Sequence, residues 1–104
     1  MNAEERAKVY YEALERYGIE RQEWMLVEEI GELLQALNKR KRARALEPNS
    51  HESRTADDAL LSELADTAIM LEQVTLAMGF TMDHLAAWKD TKIGRLQKRM
   101  EAAG

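Results

Sequence analysis

The twenty residues from Ala59 to Met78 carry only three charges, all acidic: Glu63, Asp66 and Glu72. Leu60, Leu64, Ala68, Leu71 and Met78 recur at helical spacing on one side, while Ala65, Ile69 and Leu76 cover much of the other. A helix that is apolar nearly all round has to be packed on by neighbours. Glu63 and Asp66 thus face desolvation, and no Lys or Arg occurs between Thr55 and Trp88 to pair with them. An unpaired buried carboxylate costs several kcal/mol even after relaxation, so something positive must compensate.

The flanking segments also read as helices. The first is expected from about Ala3 to Tyr17, with Val9, Ala13, Leu14 and Tyr17 on one face and Gly18 as its stop. The second, from about Glu20 to Leu46, carries the stripe Val27, Ile30, Leu33/Leu34 and Leu37 and ends at Pro48-Asn49-Ser50. A polar loop is expected to reach Arg54, with Thr55 and Asp58 forming the capping box of the apolar helix, which Gly79 closes. Thr81 is the expected N-cap of a fourth helix reaching about Glu101, with Asp83 in its first turn. One Pro, one Phe and an excess of Leu, Ala, Met, Glu and Lys/Arg suit helices and argue against a sheet. The expectation is an all-α, four-helix bundle-like single domain over residues 1–104, with an acidic helix pair at its centre.

Composition removes several classes of function. With no Cys there is neither a disulfide framework nor a thiolate zinc site, and the expected compartment is the cytoplasm. The N-terminus is charged from its fourth residue, unlike a signal-peptide core, and no apolar run approaches the ~20 residues of a membrane span. A net charge of -4 disfavours a phosphate backbone as partner. The basic run Lys39-Arg40-Lys41-Arg42-Ala43-Arg44 lacks interleaved aromatics and reads as a solvated helix end. Neither membrane nor nucleic acid is expected among the partners.

Acid and base are segregated. Glu23, Glu28, Glu29 and Glu32 lie in a stretch from Gln22 to Asn38 that holds no Lys or Arg. Glu29 and Glu32 are three apart and share a helix face; Glu63 and Asp66 repeat that spacing. If their helices pack antiparallel, four carboxylates converge on one volume. An all-oxygen cage suits a hard cation, Mg²⁺ above all, with Mn²⁺ as a substitute. One E-x-x-E alone is a common solvated face; two, both in base-free segments and one on an apolar helix, point to a metal.

Glu28-Glu29-Ile30-Gly31-Glu32-Leu33 followed by Glu63-Leu64-Ala65-Asp66 resembles the E-E-x-x-E…E-x-x-D signature of the MazG-like all-α NTP pyrophosphatase superfamily. Lys92-Ile93-Gly94-Arg95-Leu96-Gln97-Lys98-Arg99 is similar to that family's K-x-x-R-L-x-x-R segment. The likeness covers roughly Gln22 to Met100 and is nearest to the compact single-domain branch found in phages and prophages. The Glu32–Glu63 spacer is long for the family, and its extra residues are expected in the 46–54 loop. Asp90 also departs from the Asn expected in some relatives.

The resemblance implies Mg²⁺-dependent hydrolysis of (deoxy)nucleoside triphosphates to monophosphate and pyrophosphate, a house-cleaning of nucleotide pools. Its metal ligands would be Glu29, Glu32, Glu63 and Asp66. Glu28, about 100° round the helix from Glu29, would orient or deprotonate the attacking water, or is simply solvated. Lys92, Arg95 and Arg99 share a face and could grip a polyphosphate, with Lys39 reaching in from the second helix. Trp24 could stack on a base, or like Trp88 serve as a core or subunit contact. Gly31 could admit a close neighbour into the acidic motif. Neither His51 nor His84 has ligand spacing, and no Glu-x-x-His exists to support a ferritin-like di-metal site.

Two further expectations complete the reading. A homodimer or homotetramer is implied by the resemblance and favoured by the difficulty of covering the third helix with so short a chain. The alternatives are a non-catalytic helical interaction or regulatory protein and, within the superfamily, a dUTPase-like or phosphoribosyl-ATP pyrophosphatase.

Overall fold

The structure, a computed structural model, describes all 104 residues and contains helices and no strand. Its elements are α1 (Ala3–Tyr17), α2 (Ile19–Leu46), α3 (His51–Ala77) and α4 (Met82–Ala103). No helix is long and apolar enough to cross a membrane.

The helix ends follow local chemistry. Asn2 caps α1 in a capping box with Glu5, and Gly18, at φ 82°, closes it by donating its N–H to the Leu14 carbonyl. That positive φ is the reason for glycine here. Gly79, at φ 85°, plays the matching part after α3. Thr81 caps α4 as expected, and the box is completed by His84, whose Nδ1 accepts from the Thr81 N–H.

The start of α3 corrects the sequence reading. Ser50, not Thr55, is the N-cap: its hydroxyl accepts from the Ser53 N–H, and the Ser53 hydroxyl donates to the Glu47 carbonyl at 2.6 Å. Thr55 lies inside the helix, its hydroxyl turned back to the His51 carbonyl. Residues 51–54, expected in the loop, add a further helical turn, so the long spacer becomes mostly helix.

The α2–α3 hairpin is the body of the molecule. It is antiparallel: Gln22 bonds Gln73, the Glu29 carbonyl meets Thr67, and Arg40 pairs with Asp57. α1 lies against both helices, held by a 2.7 Å bond from the Tyr10 hydroxyl to Glu72. Tyr10 is therefore the buried residue of α1, whereas Val9 and Tyr17 of the expected face are about half exposed. α4 touches α3 alone and has no buried residue.

The four helices do not close into a compact bundle. The chain exposes 8247 Å², against about 6000 Å² for a folded monomer of this mass. Its radius of gyration is 17.2 Å, against about 13 Å for a compact chain of this length. As expected of so short a chain, α3 is not covered on every side. Thr67, Met70, Val74 and Leu76 are buried, while Leu61, Leu64, Ile69 and Leu71 stay exposed.

Candidate metal centre

Glu29 and Glu32 extend from α2 and Glu63 from α3, and a carboxylate oxygen of each lies within 4.8 Å of the others. The antiparallel crossing produces this convergence, because residues three apart share a helix face. Octahedral Mg²⁺ at 2.0–2.1 Å from its ligands spans about 4.2 Å between opposite oxygens. Adjacent oxygens on such an ion are about 2.9 Å apart, so the three carboxylates, within 4.8 Å of one another, draw in on binding it or reach it through a bridging water.

The surroundings of these oxygens are acidic, with Glu32 exposed and Glu29 and Glu63 half-buried. Glu29 Oε2 and Glu63 Oε2 are shut off from solvent and have no hydrogen-bond partner. Burial raises the Glu29 carboxyl above the usual carboxylate range, and the charges of Glu32, Asp66 and Glu63 push it further. Glu63 is raised by burial first and then by Glu32 and Asp66, with the adjacent Glu29 pulling the other way. No cation acts on either group. Between ionised carboxylates there is no donor, so a shared proton, an ordered water or a bound cation has to satisfy the two orphaned oxygens. The donor set is all-oxygen and fits a hard divalent ion.

Asp66 contributes its charge to Glu29 and Glu63 but is exposed and stands outside the tight group of three. Glu28 is exposed, one residue along from Glu29. A Cβ on Gly31 would meet nothing within 4 Å, so no neighbour uses the space inside the motif.

None of the expected phosphate-binding residues forms an ion pair with the carboxylates within one chain. Lys92 rests 6.0 Å from the centroid of the Trp88 ring, and Arg95 lines a cleft of about 820 Å³ between α3 and α4, beside Phe80, His84 and Trp88. Lys39 and Arg99 are exposed and form no ion pair, and Trp24 is 63% exposed on α2.

Two polar ties of the hairpin escaped the sequence reading. Arg40 and Arg44, assigned to a solvated helix end, both grip Asp57, at 2.6 and 2.7 Å. Gln22, 1% exposed, accepts a 3.0 Å bond from the Gln73 side chain. The only advance signal for the second pair is its spacing: Gln22 lies seven residues before Glu29, and Gln73 seven after Asp66.

No protein-family model matches this chain, and neither the curated proteins nor the solved structures compared with it include a match.

Proposed function

We propose that the chain is a Mg²⁺-dependent nucleoside triphosphate pyrophosphohydrolase of the MazG-like kind, acting in the cytoplasm on a (deoxy)nucleotide pool. The observation that carries this reading is the meeting of Glu29, Glu32 and Glu63 with two oxygens left bare in a cation-free setting. These residues belong to the E-E-x-x-E and E-x-x-D motifs from which the resemblance is drawn.

Bound there, Mg²⁺ or Mn²⁺ supplies charge neutralisation at the triphosphate and lowers the pKa of a coordinated water. Glu29, Glu32 and Glu63 hold the ion, and Asp66 adds negative charge or completes the set. Glu28, exposed beside the cluster, is free to accept the proton of the attacking water. Lys92, Arg95, Arg99 and Lys39 take the phosphates, and Trp24 is the base-stacking candidate. Phosphoryl chemistry of this type relies mostly on positioning and charge compensation, which the set provides.

The working form is a homo-oligomer. One chain leaves more than 2000 Å² beyond the area expected of a compact monomer, comparable to what an obligate dimer buries per partner. α4 has no buried residue, and its Trp88, Ile93, Leu96 and Met100 are about half exposed or more. Assembly offers a route for the basic face of α4 to reach the carboxylates of another copy. The same exposed surface favours a second reading, a non-catalytic helical interaction protein.

Pyrophosphate release from a panel of NTPs and dNTPs with Mg²⁺ tests the enzyme reading and separates dUTPase-like from broader substrate ranges. Including phosphoribosyl-ATP covers the remaining alternative. Turnover of no member, together with no thermal stabilisation by Mg²⁺ plus nucleotide, leaves the interaction protein. Light scattering at micromolar concentration reports the assembly, and a monomer mass in an active preparation would overturn it.

A further inference from the structure

The carboxylate cluster is an arrangement the hairpin should resist. Glu29 and Glu63 each bury an Oε2 atom without a donor at the α2–α3 seam, and sliding one helix past the other would return these oxygens to water. Apolar packing alone is a weak barrier to such a slide. On α2 the buried residues are only Gln22 and Ala36, while Val27, Ile30, Leu34 and Leu37 are at least 40% exposed. What holds the register must be directional bonds.

Two ties bracket the cluster. Toward the loop, Asp57 is held by Arg40 and Arg44, but these side chains are 35–42% exposed, and exposed ion pairs contribute little and are screened by salt. Toward the other end, Gln73 donates to Gln22 at 3.0 Å, and Gln22 is among the two most deeply buried side chains in the chain. A desolvated amide that loses its partner is costly, so this bond discriminates sharply between registers. Slipping by one helical turn moves the partners by about 5 Å and strands the Gln22 amide. A single buried polar pair fixing register at the expense of stability is the best-attested use of such groups in helical seams.

We infer that Gln22 and Gln73 are positioning residues: their buried amide bond locks the α2–α3 register that brings Glu29 and Glu32 to Glu63. The inference rests on the metal-site reading for its functional consequence, but the lock itself is measurable without metal. The matching spacings make it concrete. Gln22 precedes Glu29 by seven residues and Gln73 follows Asp66 by seven, so each amide lies two turns from one of these acids on the same face of its helix, and Glu63 is one further turn along α3.

The test replaces both amides by the unbranched apolar side chain nearest in shape, Gln22→Met with Gln73→Met. The chain has no cysteine, so Arg21→Cys and Asp58→Cys, both at exposed positions, can carry nitroxide labels for a pulsed electron–electron distance measurement. The wild-type background is expected to give one narrow distance. The double Met background is expected to keep its helicity and melting temperature or gain in the latter, yet to add a population displaced by about 5 Å. Its Mn²⁺ affinity, read by titration, is expected to fall about tenfold or more. An unshifted single distance with wild-type Mn²⁺ affinity overturns the lock. Absence of Mn²⁺ binding in the wild type would instead count against the metal site, and the distance measurement would still decide the register. Should the Met pair unfold, Gln22→Asn, one methylene short of the bond, is read the same way: a broadened distance supports the lock and an unchanged one refutes it.

Discussion

Glu29 and Glu63 meet across the α2–α3 seam within 4.8 Å, and each buries an Oε2 atom that no donor reaches. Removing one charge should therefore help the metal-free fold and harm function. Glu63→Gln is expected to raise the melting temperature without metal by a few degrees and to lower Mg²⁺-dependent turnover by about 100-fold or more. Asp66→Asn, outside the tight group, should give a smaller thermal gain while still depressing turnover. Near-wild-type hydrolysis by both variants would dismiss the assigned ligands.

The same pair sets a pH dependence for the metal-free protein. Both carboxyls sit above their ordinary range when folded, so the unfolded chain gives up these protons first as pH rises. Their contribution to stability is full below about pH 4.5, the unfolded value, and is lost as pH climbs through the raised folded values. Asp57, lowered by Arg44 and Arg40, acts oppositely: its contribution is present above its unfolded value near 3.8 and lost as pH falls through the lower folded value. Without metal, thermal melts should rise as pH is lowered from neutrality toward the unfolded value of about 4.5, and saturating Mg²⁺ should flatten that trend. A flat metal-free profile would mean that the two carboxyls are not mutually strained.

Tyr10 offers a change remote from the carboxylate group. Burial and Glu72 push its hydroxyl up to about 12, and its 2.7 Å bond fastens α1 to α3. Tyr10→Phe is expected to cost about 1.5 kcal/mol in denaturant unfolding, as for a hydrogen bond to a charged group, and to leave Mg²⁺ affinity unchanged. Loss of metal binding in this variant would show that α1 shapes the site.

The cap of α3 can be located by two substitutions. Ser50→Ala is expected to cost about 1 kcal/mol, whereas Thr55→Ala, inside the helix, should be near neutral or slightly favourable. The reverse order would return the helix start to Thr55.

Lys92→Ala and Arg95→Ala should raise KM for the triphosphate or lower kcat while leaving Mg²⁺ binding in the absence of nucleotide intact. Calorimetry and steady-state kinetics on the same preparations separate the two effects. Unchanged kinetics would make the row a solvated face of α4.

Much of this architecture was legible because it depends on near neighbours in the chain. Gly18 and Gly79 mark helix ends through the backbone conformation they adopt, and carboxylates three apart share a face whatever else packs there. Thr55 misled because Thr-x-x-Asp imitates a capping box, while the Ser50–Ser53–Glu47 network that wins needs the chain to double back. The buried face of α3 could not be read from a pattern apolar on every side. Only the hairpin reveals that Met70 and Val74 face inward while Leu64 and Leu71 do not. The Gln22–Gln73 contact was invisible for a related reason: a glutamine gives no sign of burial until its partner arrives from another helix.

Gly18 is the single residue between α1 and α2, serving as the end of one and the start of the other. The direction of α1 relative to α2 is thus set at one residue, held at φ 82°. Tyr10 stands eight residues back along α1, about 12 Å from Gly18. Rotation by about 10° there would carry its hydroxyl about 2 Å, enough to open the bond to Glu72. Gly18 and the Tyr10–Glu72 bond together fix the angle at which α1 lies on the hairpin.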